Sequence, residues 1–352
     1  MASISCVGNM AVVPLAIDWN PGMTVFAKPE FLRSVGDEYG WLGGFDGSGV
    51  QRCFLPYTIV RKAGVRLVRF RVETIPCVEN LSLEEERTFL ERVVQYFRVA
   101  GADVIIPAST NTIFRTYPDG ALAAPYGTHV VELDRPEAVL WSAVSANHRR
   151  QVRAAEKAGV QVRTADDALP AVHGIIRDTF RKSSMPFMPL EGLQRMVGGL
   201  GSHAHVFVAE LSGQVQACAV MAFSRYSAYY MYGGSVASAA PGAMHLLHWH
   251  AMRLYREVGV QRYDFCGARV DPVPGSKAEG LATFKQRFGS EFRQGFMWKC
   301  SLRPLRSALY SVAVRVLRGG DIVDAERHKL VVRLQPVGAG PLRDLRMKDG
   351  SS

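Results

Sequence analysis

Lys285 is the side chain of this sequence best suited to chemistry. It sits in Gly280-Leu281-Ala282-Thr283-Phe284-Lys285-Gln286-Arg287-Phe288-Gly289, a G-x-x-x-F-K-x-x-F-G run. When an amine attacks an ester or thioester, a tetrahedral oxyanion forms, and a fixed cation or N–H donor lowers that barrier. The plainer alternative is an amphipathic helix, with Phe284 and Phe288 four apart in the core and Lys285 in solvent. Asp264 stands at the end of a predicted strand in Tyr263-Asp264-Phe265-Cys266-Gly267, where α/β sheets bind ligands. Its carboxylate could take a proton from an attacking amine or orient it. It could equally hold backbone N–H groups of the turn that follows. His245 and His248 share a helical face, but His250 does not join them. No cysteine or carboxylate nearby completes a tetrahedral set, so no metal is expected. No Ser or Cys stands in a nucleophile setting such as G-x-S-x-G, which points to direct attack without a covalent enzyme intermediate.

These groups need elements to position them. The spacing predicts a short helix over 30–35, strands over 51–60 and 65–74, and a helix opened by Ser82-Leu83-Glu84-Glu85-Glu86. Ser82 and Glu85 have capping-box spacing, and Leu90, Val93, Val94 and Phe97 line one helical face. Gly101 closes that helix before an apolar strand at 103–106. The order recurs: Ser212-Gly213-Gln214-Val215-Gln216-Ala217-Cys218 echoes Ser48-Gly49-Val50-Gln51-Arg52-Cys53. Two β-rich runs, a helix near 243–258 and Gly259 follow. A duplicated β-β-α-β unit implies two α/β lobes, each a mixed sheet covered by helices.

Between the copies lie a strand at 128–133 and a helix from Pro136 to Ala158, closed by Gly159. Arg149, Arg150, Arg153 and Lys157 share a face of that helix, either solvated or open to phosphates of a nucleotide, a lipid-linked sugar or tRNA. Tyr229, Tyr230 and Tyr232 close a second-lobe hairpin; alternation there sends Tyr230 and Tyr232 to one face. Residues 1–22 read as an irregular lead-in. The tail at 302–318 alternates Arg with Leu and Val. It reads as a helix packed on the second lobe or resting on an anionic membrane surface. The end from Gly338 reads as poorly ordered.

The chain has 352 residues, 48% hydrophobic and 21% charged, with a formal net charge of +10. That length suits two lobes, and the charge favours anionic partners. The six cysteines form no C-x-x-C pair and read as free thiols in a reducing cytoplasm. Neither a secretory leader nor a run of 18 apolar residues is evident.

The 280–289 motif after a strand and loop resembles the end of the second lobe in the FemAB/FemX family, transferases of the acetyltransferase (GNAT-like) superfamily. The block from His148 to Val160 is similar to that family's linker, an R-x-x-(V/I)-R-x-A-x-K-x-G-V pattern matched by Arg149, Val152, Arg153, Ala155, Lys157, Gly159 and Val160. Ala155 is displaced by one position. The resemblance spans roughly residues 25–300. It implies two GNAT-like lobes, 1–160 with linker helix 136–158 and 161–300 with the transfer site, followed by a basic tail over 301–352. It implies transfer of an acyl or aminoacyl group onto an amine, as in peptidoglycan bridge formation. The acceptor would be anionic or lipid-linked, and the donor an aminoacyl-tRNA or acyl-CoA. Phe284 and Lys285 would then face the donor's reacting end, with Phe284 stacking on a base or packing the acyl group. Lys28 would lie near acceptor phosphates. The implied location is the cytoplasm, at the inner face of the membrane. The sequence departs from acetyl-CoA-dependent relatives, whose Q/R-x-x-G-x-G/A loop holds the pyrophosphate on backbone N–H groups. In Ser235–Met244 only Gly242 remains of it, and Pro241 removes a donor. No heptad run marks the coiled-coil arm of bridge-forming relatives. Two rival readings are an acyl-CoA-dependent N-acyltransferase and a non-catalytic RNA- or membrane-binding module.

Overall fold

The computed structural model describes residues 10–108, 111–183, 185–318 and 320–334. The first half runs β1 (Ala11–Leu15), α1 (Pro29–Val35), β2 (Glu38–Phe45), β3 (Gln51–Lys62), β4 (Val65–Phe70), β5 (Ile75–Pro76), α2 (Leu83–Val99) and β6 (Val104–Ile105). A crossing segment follows: β7 (Leu122–Glu132), α3 (Glu137–Ala143) and α4 (Ala146–Lys157). The second half runs β8 (Gln161–Thr164), α5 (Leu169–Arg181), α6 (Leu190–Leu200), β9 (Ala204–Leu211), β10 (Gln214–Phe223), β11 (Ala228–Ser235), α7 (Ala243–Glu257), β12 (Arg262–Asp264), α8 (Lys277–Gln286) and β13 (Glu291–Ser301). Two tail helices, α9 (Pro304–Arg318) and α10 (Ile322–Leu334), complete the described chain.

Local chemistry accounts for the main elements. The Ser82 hydroxyl accepts from the Glu85 amide at 3.1 Å, and the Glu85 carboxylate accepts from the Ser82 amide at 2.8 Å, so α2 starts on a full capping box. The β3–β4 hairpin turns on Ala63 and Gly64, both with positive φ, as a tight two-residue turn demands. In β9 and β10 the side chains alternate. Phe207, Ala209, Ala217, Ala219 and Met221 pack with α4 and α7, whereas Val206, Val208, Cys218, Val220 and Ala222 pack with α1, α5 and α6. Through Phe31 and Leu32, α1 of the first half thus enters the core of the second.

All thirteen strands form one mixed sheet, in the order β1-β2-β3-β4-β6-β13-β7-β12-β11-β10-β9-β8, with β5 beside β3. Read from its two ends, this order is the same. In each half three antiparallel pairings lead to one parallel pairing of two residue pairs: Leu67–Val104 and Val68–Ile105 in the first, Ala228–Tyr263 and Tyr229–Asp264 in the second. The central strands are exchanged. β7 follows the first half in the chain but borders β12 of the second. β13 follows the second half but borders β6 of the first. The two then pair with each other from Leu122–Lys299 to Val130–Glu291.

Several expectations need correction. The lead-in contains β1, paired with β2 from Ala11–Phe45 to Leu15–Trp41. The helix expected over 136–158 is two helices, because Val144 is extended and the Ser145 hydroxyl caps a new start at the His148 amide. The tail packs on the first half: the Ser307 hydroxyl donates to the Asp103 carbonyl at 2.7 Å, and Tyr310 lies against Leu67, Val104 and Ile106. The residues from Gly338 onward, like Cys6, lie outside the described residues. The five described cysteines are free thiols. No helix among the described residues is long and apolar enough to cross a membrane.

Candidate active site

β11 and β12 touch through two residue pairs and then part, since β11 continues to Ser235 while β12 ends at Asp264. A bulge at Met231 lies beside this opening, between the pairs Val220–Tyr232 and Met221–Tyr230. A bulged residue leaves the ladder, which frees backbone groups at the mouth. The bulge also breaks the strand's alternation. Tyr230 packs edge-on to His248 on the α7 side, whereas Tyr232 packs against Phe180 and Phe187 on the other. The expected single-faced pair of tyrosines is therefore split.

Asp264 and Lys285 meet at this opening. One carboxylate oxygen of Asp264 accepts from the Thr128 hydroxyl and, at 2.7 Å, from the Cys266 amide. That second bond holds Cys266 at φ 54°, a left-handed conformation uncommon for a side chain of this kind. Burial raises the Asp264 pKa, opposed by those two hydrogen bonds and by the charges of Lys285 and Arg293. The ammonium of Lys285 donates to the carbonyls of Cys266 and, at 2.7 Å, Gly267. Burial lowers its pKa to about 8, against the pull of Cys266 and Asp264. Lys285 is thus neither free in solvent nor locked into an ion pair. His129, pushed down to about 4 by burial and by Lys285, bonds the Ser290 hydroxyl at 3.0 Å.

Sequence reasoning missed the first-half side of the site. Arg71, Val72 and Glu73 follow β4, and Val72 joins the apolar cluster that contains Tyr229 and Cys266. Burial raises the Glu73 carboxyl to about 7, with Asp264 and Glu86 adding to the rise and Arg262 opposing it. Burial likewise lowers Arg71 to about 9, and Tyr232 is the charge partner that opposes the fall. Nothing in Arg71-Val72-Glu73-Thr74 distinguishes it in sequence from the end of an ordinary strand.

Phe284 lies on α8 against His148, His245 and His248, and its carbonyl bonds His148 Nε2 at 3.0 Å. Asn147, His148, Gln151, His245, Thr283, Phe284 and their neighbours line a pocket of about 470 Å³. Gly242 starts α7 beside it with φ +81°, and a Cβ there would overlap the Gln151 carbonyl of α4. α4 therefore packs closely on the start of α7. The histidines gather around Phe284 and Phe288, and no group of His, Cys, Asp and Glu among the described residues could hold a metal.

The basic stripe divides. Arg149 turns back to the carbonyls of Trp141, Ser142 and Val144 at the end of α3, and Arg153 lies over the Trp141 ring at 5.7 Å. Arg150 bonds Asn147 at 2.8 Å, and Lys157 is exposed in the last turn of α4. Lys28 donates to the Leu200 carbonyl at 3.1 Å, away from the Lys285 cluster in the bonds it makes.

Residues 142–285 match the family described as Acetyltransferase (GNAT) domain. The fold as a whole is similar to that of FemX. FemX itself superposes with a TM-score of 0.61 at 15% identity, over 82% of this chain and 93% of that one. A tandem GNAT protein from the clavulanic acid biosynthesis pathway gives 0.47 at 14%, over 84% and 99%. L-PGS from Bacillus licheniformis gives 0.47 at 12%, over 81% and 95%. No curated protein matches the sequence.

Proposed function

We propose that this protein transfers an activated acyl or aminoacyl group onto an amine at the opening between β11 and β12. The observation that carries the reading is Lys285, held by two carbonyls beside Asp264 where β11 and β12 part. An acceptor amine attacks the carbonyl carbon of an ester or thioester. A C–N bond forms, the C–O or C–S bond breaks, and the leaving alkoxide or thiolate takes up the proton that the amine gives up. Lys285 and the backbone freed at the Met231 bulge stabilise the oxyanion. Asp264 orients Lys285 and the Cys266 turn. Glu73, with its pKa of about 7, takes the amine's proton, because a base works best near the working pH.

The close packing of α4 on the start of α7 favours an aminoacyl-tRNA donor over an acyl-CoA held by its pyrophosphate. The donor's terminal adenosine would then stack on Phe284 in the pocket between α4, α7 and α8. The acceptor is an amine on an anionic or lipid-linked cell-envelope precursor, placed by Arg71 and the exposed cations Arg150 and Lys157. Tyr230 and Tyr232 shape the two walls of the opening.

The test offers labelled aminoacyl-tRNAs and, separately, acyl-CoAs to the protein with amine-bearing envelope precursors. Transfer from tRNA is expected, with Lys285→Ala slowing kcat/KM about 10²–10³-fold. Glu73→Gln should remove the acid limb of the pH profile near pH 7. Transfer from CoA alone would overturn the donor assignment, and unchanged rates in Lys285→Ala would overturn the site.

A further inference from the structure

α9 is turned inside out. At about 100° per residue, Leu305, Leu309, Val312 and Val316 fall on one stripe, at 84%, 72%, 62% and 80% exposure, with Val312 also at the rim of the cavity between α9 and α10. The opposite face carries Ser307 and Tyr310, which make the helix's contacts with the first half. Arg306 and Arg315 project from the two flanks of the stripe, and α9 contains no acidic residue. Four large apolar side chains in a row are too many to be scattered surface residues.

We infer that this stripe docks on an anionic phospholipid surface, with α9 lying in the headgroup plane. The helix is too short and too charged to span, and no other helix among the described residues is long and apolar enough to do so. An interfacial helix requires an apolar face bordered by cations, which is the arrangement seen. A second copy of the chain is a poorer occupant. Two such stripes face to face would bring the Arg315 side chains together, since Arg306 already pairs with Asp103. The nearby carboxylates that could relieve this are already engaged: Asp103 with Arg303 and Arg306, Asp321 and Asp324 with Lys299, and Glu326 with Arg269 and Lys329. Binding in this pose would keep the transferase on the surface that carries lipid-linked molecules.

The experiment is co-sedimentation of the full chain with phosphatidylcholine vesicles, alone or with one-third phosphatidylglycerol, at low and high salt. Binding is expected to the anionic vesicles and should weaken with salt. Leu305→Gln with Leu309→Gln should lower the affinity about tenfold or more, and Arg315→Glu should weaken it further. Because these positions are exposed, the variants should melt at the wild-type temperature, which separates lost docking from lost folding. Absent binding, or equal binding by wild type and the double variant, would overturn the inference. So would a wild-type dimer by light scattering that the double variant converts to monomer.

Discussion

β6 and β12 hold equivalent places in the two halves, yet one ends in Ile105 and the other in Asp264. Ile105 pairs with Val68 and Cys300, and Asp264 pairs with Tyr229 and Val130, in the same pattern of one parallel and one antiparallel neighbour. Around Ile105 the space is filled by Phe70, Phe97, Phe114 and Trp298, with Phe114 and Trp298 ring centres 5.4 Å apart. Around Asp264 stand Thr128, the Cys266 amide and Lys285. One frame has been filled with aromatic rings for cohesion. The other keeps titratable groups beside an opening. A buried polar site is stable where hydrogen bonds are supplied.

Exchanging the two characters is the strongest way to break the comparison. Ile105→Asp should lower stability by about 3–5 kcal/mol, read as a fall in the denaturant midpoint at unchanged m. A drop below about 1 kcal/mol would mean that the aromatic half tolerates charge as the other does. The helix starts differ in the same sense. Gly242→Ala places a Cβ on the Gln151 carbonyl at a left-handed φ, and should cost roughly 1–3 kcal/mol.

The pH dependence of Lys285 sharpens the contrast at a similar or smaller scale. Its folded pKa of about 8 lies below the ordinary 10.5, so between those values the unfolded chain binds more protons. Stability of the wild type should therefore rise with pH across that window, and Lys285→Met should lack the rise. Because Lys285 is only half-buried, solvent screening limits the gain to the order of 1–2 kcal/mol. Thermal melts of both proteins from pH 7.5 to 10.5 measure it. Smallest of all, Ser82→Ala at the capped start of α2 should cost about 1 kcal/mol, seen in the same unfolding curves.

Much of this frame was legible in the sequence, and the reasons are local. The capping box at Ser82, the turn glycines Gly49 and Gly213, and the helix over 243–257 all announce themselves within a few residues. Asp264 and Lys285 each stood out by residue type and place, but nothing local announced that they meet. The exchange of β7 and β13 was not legible either, because pairing partners far apart in sequence leave no periodic trace. The break at Val144-Ser145 was hidden by apolar spacing that runs through it. Met231 was read as an ordinary alternating residue, since a bulge depends on the partner strand. Glu73 carries no signal until the second half folds over it, and the outward turn of α9 is decided by Ser307 and Tyr310 finding the first half.

The strand exchange also bears on how the molecule can be made. β6 is flanked by β13, so the first half cannot close its sheet when its own residues leave the ribosome. At roughly 5–20 residues per second, the nearly two hundred residues from Ile105 to its partner Cys300 take roughly 10–40 s to emerge. For that interval the edge of β6 stands open, a binding place for chaperones or for a neighbouring nascent chain. The last strand among the described residues is the one that shuts it.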